Sequence, residues 1–195
     1  VTATGEPLPP HTRQALTREY ERLCVSQRQI KEIEATQAAA IQGASEKAAG
    51  LSEEGRGASG IDQAALLLRL KGLGQIGASV LSREVLYRRF DNRREVASYF
   101  GLTPSPYNSG SMRTDQGIGK AGNPRARTMA IELAWLWVRH QPESALTHWF
   151  LERVGNGTGR IRRIAIVALA RKLMIALWRY VTIGMIPVGA VMKPA

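Results

Sequence analysis

Between Gly101 and Arg127 the chain reads GLTPSPYNSGSMRTDQGIGKAGNPRAR, a segment crowded with hydroxyls, glycines and cations. A serine that attacks a phosphodiester needs close backbone approach to the phosphate. It also needs cations beside the non-bridging oxygens, where charge develops. Ser109 has Gly110 next to it and Arg113, Lys120, Arg125 and Arg127 downstream. Its hydroxyl must also lose a proton, and a metal ion held by carboxylates would assist that step. Asp115 is the only acid in the segment, and one carboxylate does not make a two-metal site. A Ser-His-Asp arrangement is poorly supported. There is no G-x-S-x-G elbow, and His140 and His148 lie beyond the next expected helix or at its end. On residue chemistry alone, a polar loop that contacts phosphate without catalysis is at least as good a reading.

A second cluster lies upstream. Leu70-Lys71-Gly72-Leu73-Gly74 follows an apolar run and precedes Ala78, which fits the helix-hairpin-helix pattern of hydrophobic-x-Gly-hydrophobic-Gly. Two glycines permit a sharp turn, leaving N–H groups at the start of the next helix to meet a phosphate, with Lys71 adding a cation. Lys71, Gly72 and Gly74 are therefore expected DNA-backbone contacts. The plain alternative is a glycine turn between two packed helices.

The elements that must position these clusters are expected to be helical. Residues 11 to about 42 place Leu16, Leu23 and Ile30 seven apart, with Tyr20 between them, and Ile33 shifts the phase. That predicts a coiled-coil-like helix of two or three heptads. Glycines at 43, 50, 55, 57 and 60 suggest a linker. From Ile61 an apolar helix, the glycine turn and a second helix follow, then a short helix closed by Gly101. Asn123-Pro124 is a strong helix start, because Asn caps well and Pro loses nothing at the first helical position. Ile166, Leu169, Leu173 and Leu177 form a core stripe on a last long helix, about 161 to 180, and the tryptophans read as packing residues. No segment alternates convincingly as a strand. The expectation is a mostly α protein: a helical, coiled-coil-like linker region over 1–60, then a helical domain over 61–195 carrying the turn and the Ser-Gly loop.

Composition bounds the partner. The 195 residues carry a formal net charge of +11, which favours a polyanion. Residues 1–70 hold 8 basic and 9 acidic side chains, whereas residues 71–195 hold 19 basic and 7 acidic. The excess therefore sits around the two clusters. One cysteine, Cys24, excludes an internal disulfide and a cysteine-built metal site. No membrane span or secretory signal is legible, and a cytoplasmic, nucleoid-associated location is the expectation.

The ordered blocks LKGLGQIGASVL, RRFDNRREVASYFGLTP, NSGSMRTDQGIGKAGNPRAR and RRIAIVALARKLMIALWRY resemble the C-terminal domain of one insertion-sequence transposase family. Its members join an N-terminal DEDD domain, of Holliday-junction-resolvase type, to this serine-bearing domain, and some are bridge-RNA-guided recombinases. The resemblance runs from about Leu66 to Tyr180, and the preceding coiled-coil-like helix also fits. It implies DNA transposition, with Ser109 of Ser109-Gly110 as the nucleophile that links covalently to DNA. Ser111 is the runner-up, and Ser105 stands behind both. The family's isKaGn segment falls on Ile118 to Asn123, with Gly119 where a serine is common.

The same resemblance implies Mg held by the DEDD domain, DNA as partner, a guide RNA in some members and a homo-oligomeric full-length enzyme. Nothing before residue 60 matches the DEDD acids. Glu19, Glu21, Glu32 and Glu34 have helix-surface spacing. The chain is thus expected to be the second half of an enzyme, binding no cofactor itself and unable alone to complete strand exchange. Two other classes stay open: a non-catalytic helix-hairpin-helix DNA-binding module, and a ribosomal-type RNA-binding protein.

Overall fold

A computed structural model describes residues 5–48, 60–109, 112–157 and 159–193. The chain divides into two compact units, Val1–Ala40 and Ile41–Ala195. Helix α1 spans Pro10–Ala48, starting where the proline run ends and passing through Gly43, which was expected to open a linker. In the first unit Leu16, Tyr20, Leu23 and Ile30 are all exposed, so the heptad face covers no core of that unit. Ile41, the first residue of the second unit, is buried in that unit's core.

The second unit is helical apart from one ribbon among the described residues. Helix α2 (Gly60–Leu68) leads into the glycine turn, and α3 (Gln75–Val80) continues directly into a π-helical stretch, Leu81–Leu86. Helix α4 (Arg93–Tyr99) precedes strands β1 (Pro104–Ser109) and β2 (Met112–Ile118). Helices α5 (Pro124–His140), α6 (Ala145–Val154) and α7 (Gly159–Ile183) complete it. The last of these is the spine, packing against α2, α4, α5 and α6. Its stripe of Ile166, Leu169, Leu173 and Leu177 is buried as its spacing predicts, together with Trp137, Phe100 and Phe150 from facing elements. Each buried aliphatic or phenyl side chain of this layer contributes about 1.5–3 kcal/mol by leaving water.

The tryptophans divide. Trp137 is fully buried, and its indole N–H donates to Ser144 Oγ at 3.0 Å. Trp135 and Trp149 lie nearer the surface, beneath Arg162 (5.2 Å) and Lys172 (4.6 Å).

The local start signals operate as their chemistry dictates. Asn123 Oδ1 accepts from the N–H groups of Arg125 (3.0 Å) and Ala126 (3.1 Å), with Pro124 at the first helical position. Asn92 caps α4 in the same way, and Glu95 returns the bond to Asn92 Nδ2 and Asp91 N. These bonds satisfy N–H groups that a helix start leaves unpaired.

One expectation is corrected. The polar stretch after Gly101 is a two-stranded antiparallel hairpin rather than an irregular loop. Tyr107 pairs with Thr114, Asn108 with Arg113 and Ser109 with Met112, with a register shift near Pro104 and Pro106. Alternation failed to announce it because the two short strands, PSPYNS and MRTDQGI, contain too few apolar residues to show a two-residue period. The dipeptide Gly110-Ser111, between the paired Ser109 and Met112, is of the kind that joins two strands directly. That was the legible clue. Gly110 and Ser111 lie outside the described residues.

Candidate nucleic-acid interface

The hairpin stands on a base built from three segments. Gly119 N donates to Thr103 O at 2.8 Å, and Asn123 N donates to Tyr99 O at 2.9 Å. Gly101 (φ +63°) and Gly122 (φ +111°) pass so close to the opposing chain that a Cβ on either would collide with backbone, at Ala121 O and Tyr99 O respectively. Both positions demand glycine, because positive φ and close approach coincide.

The cations that follow the hairpin differ in how they are used. Arg127 turns inward: its Nη1 donates to Lys120 O at 2.9 Å and to Phe100 O at 3.5 Å, tying α5 to both sides of the base. Arg125, in the first turn of α5, pairs with Glu84 at 3.0 Å yet keeps 72% of its side-chain surface exposed. Lys120 holds a left-handed backbone (φ +52°) and is exposed. Arg113 lies on β2 in register with Asn108, and Ser109 ends β1 opposite Met112. Ser109, Arg113, Lys120, Arg125 and Arg127 thus belong to one hairpin and its base.

Glu84 and Tyr99 carry no motif, yet they hold this base. Tyr99 O–H donates to Glu84 O at 2.7 Å, and Asn123 Nδ2 reaches Glu84 Oε2 at 3.4 Å. Glu84 and Asn123 are 39 positions apart, a separation at which no local pattern forecasts a contact.

The other cluster is placed elsewhere. Gly72 (φ +90°) abuts His140 Cβ and Leu136 O at the C-terminal end of α5, whereas Arg125 stands at its N-terminal end. At 1.5 Å rise per residue those ends are on the order of 20 Å apart. The structure therefore does not bring Lys71, Gly72 and Gly74 together with the serine hairpin.

The turn's polar groups are also engaged inside the fold. Lys71 N donates to Val191 O (3.0 Å) and Leu73 N to Leu70 O (3.3 Å). The buried Gln141 amide donates to Lys71 O (2.7 Å) and Val191 O (2.9 Å), and its Oε1 accepts from Val191 N (2.7 Å). Lys193 Nζ donates to Leu73 O at 2.8 Å, and its burial lowers the ammonium's pKa below the usual lysine value. Gln141 was not singled out by sequence, and a lone Gln before Pro142 gives no signal of its role.

Among the described residues no group of three or more His, Cys, Asp or Glu side chains comes together as a metal cluster. No helix among the described residues is long and apolar enough to cross a membrane.

Residues 64–148 match the family described as Transposase IS116/IS110/IS902 family. Over 193 residues the chain is 48% identical to the Sinorhizobium fredii protein named "Putative transposase y4rJ", covering 98% of this chain and 48% of that relative. It is also 34% identical over 106 residues to "Putative transposase y4qE" of the same organism, covering 54% of this chain and 26% of that relative. The chain thus spans about half the length of the first of these relatives. The span matched by the family includes both the glycine turn and the hairpin.

Proposed function

We propose that this chain is the C-terminal part of an insertion-sequence transposase in DNA transposition, with Ser109 as the nucleophile toward a DNA phosphodiester. The observation that carries the reading is the placement of Ser109. It ends a strand paired with Met112, on a hairpin whose base is fixed by Gly101, Gly122 and Arg127 and flanked by exposed Lys120 and Arg125. In the proposed step Ser109 Oγ gives up its proton and forms a bond to phosphorus, the bond from phosphorus to one sugar oxygen breaks, and that oxygen takes up a proton, so that none is gained or lost overall. Cations at the hairpin base would stabilise charge on the non-bridging oxygens. Mg and the acids that hold it would belong to a DEDD domain in the rest of the protein, and this chain alone would bind DNA without completing strand exchange. A guide RNA and homo-oligomeric assembly of the full-length enzyme belong to the same proposal, as does the helix-hairpin-helix role of Lys71, Gly72 and Gly74.

The test uses the full-length protein and a DNA substrate, with the covalent adduct resolved on a denaturing gel. Ser109→Ala is expected to abolish the adduct while DNA binding stays within about twofold, since one hydroxyl adds little to a phosphate-dominated affinity. An adduct that persists in Ser109→Ala but vanishes in Ser111→Ala would move the role to Ser111. Persistence in both variants would move the nucleophile to another residue, such as Ser105, whereas a wild-type protein that forms no adduct would favour the non-catalytic DNA-binding module.

A further inference from the structure

A groove in the second unit takes no part in the serine reading. It encloses about 1100 Å³ and is lined by the Leu86–Arg93 segment, the last turns of α7 and Gln63 of α2. That volume is just above the roughly 300–1,000 Å³ typical of small-ligand sites. Its charge is one-sided: Arg88, Arg89, Arg93 and Arg179 line it, against Asp91 alone. No carboxylate pairs with Arg89, Arg93 or Arg179 among the described residues.

Aromatic rings accompany these cations. Tyr87 is 58% exposed, and Phe90 and Trp178 are half-buried at the same groove. Arg88 is already organised there. Its Nε donates to Tyr87 Oη at 2.9 Å, and its guanidinium lies 4.9 Å from the Tyr99 ring centroid. The lining also includes a polar group without a counterpart. Gln63 is buried, its Nε2 donates to Leu86 O at 3.2 Å, and its Oε1 has no hydrogen-bond partner. Leu86 closes the π-helical stretch, a distortion found often beside functional sites.

Guanidinium groups suit phosphate oxygens, and exposed rings suit the faces of unpaired bases. A duplex would use only the first property, because its bases are stacked inside and show no face to Tyr87 or Trp178. We propose that this groove binds an unpaired nucleic-acid strand. Phosphates lie on Arg89, Arg93 and Arg179, and a base stacks against the aromatic side of the groove. The chemistry is common to single-stranded DNA and RNA, and it does not depend on Ser109 being a nucleophile.

Fluorescence anisotropy on this chain tests it, with labelled oligonucleotides of about 12 nucleotides in one sequence, as single-stranded DNA, single-stranded RNA and DNA duplex. Tyr87→Ala is expected to weaken single-strand binding about tenfold, the usual scale for losing a stacking ring, with the thermal midpoint unchanged. Tyr87→Phe, which keeps the ring, is expected to restore most of the affinity. Arg89→Ala combined with Arg179→Ala should also reduce the salt dependence of single-strand binding, by about 0.7 in log-log slope per lost phosphate contact.

Arg153→Ala, an exposed cation outside the groove, is the control and should change affinity by less than about twofold. Tighter binding of RNA or of DNA single strands, with the Tyr87 dependence intact, identifies the source. Equal losses on duplex and single strand, a Tyr87→Phe loss as large as that of Tyr87→Ala, or a control loss as large as the groove's, each overturns the proposal. Loss of the DNA adduct in Ser109→Ala is read on a different assay, so the two readings fail separately.

Discussion

In the turn from Leu70 to Gly74, glycine beside cation serves packing: Gly72 lies against the end of α5, and the main-chain groups of Lys71 are bonded to Gln141 and Val191. In the hairpin from Pro104 to Ile118 the same composition lies on two strands that bond to each other, above a base clamped by Gly101, Gly122 and Arg127. Both segments read alike in sequence as phosphate-handling loops. The difference teaches that glycine and cation mark a tight turn in both places, while the partners of the main-chain groups differ: the end of α5 and the C-terminal segment in one, the facing strand in the other.

Substitutions can break or sharpen this contrast. Gly122→Ala should have the largest effect, about 4 kcal/mol in urea unfolding, because it combines a positive φ with a backbone collision that no rotamer relieves. An effect below 1 kcal/mol would mean the hairpin base is not clamped. Gln141→Leu should come next, at about 3 kcal/mol, since it leaves Lys71 O and Val191 N without their partner. It should loosen the turn and leave the serine hairpin's chemistry intact, which would separate the two segments.

Asn123→Ala removes a cap that accepts two N–H groups and should lower stability by about 1 kcal/mol. Because the cap adjoins the hairpin base, adduct formation should fall more steeply than stability. Arg125→Ala should be the mildest for folding, within about 0.5 kcal/mol, because its ion pair with Glu84 is largely solvated. Its expected effect is on DNA binding, seen as a shallower salt dependence. An unchanged salt slope would place Arg125 with Arg127 among the cations of the scaffold.

Much of the architecture was legible beforehand, for reasons specific to each element. The Asn123-Pro124 start is local chemistry, and the stripe of α7 follows from 3.6-residue periodicity against a core. The hairpin was not legible by pattern, because PSPYNS and MRTDQGI hold too few apolar residues to show a two-residue period. Nor were Glu84, Tyr99 and Gln141, whose partners are 15 to 70 positions away. The exposed heptad face of α1 shows the converse: periodicity forecast the helix, and its apolar positions cover no core of their own unit. At the candidate site, sequence grouped Arg113, Lys120, Arg125 and Arg127 with Ser109 but could not tell that Arg127 donates to carbonyls while Lys120 stays exposed.

The central claim concerns which atom joins the DNA. Full-length protein trapped on its substrate, trimmed with nuclease and proteolysed, yields a peptide whose nucleotide remnant can be located by mass spectrometry. The account predicts a phosphodiester on Ser109, within the peptide between Arg94 and Arg113. A remnant on Ser111, on Ser105 or on any tyrosine would contradict it.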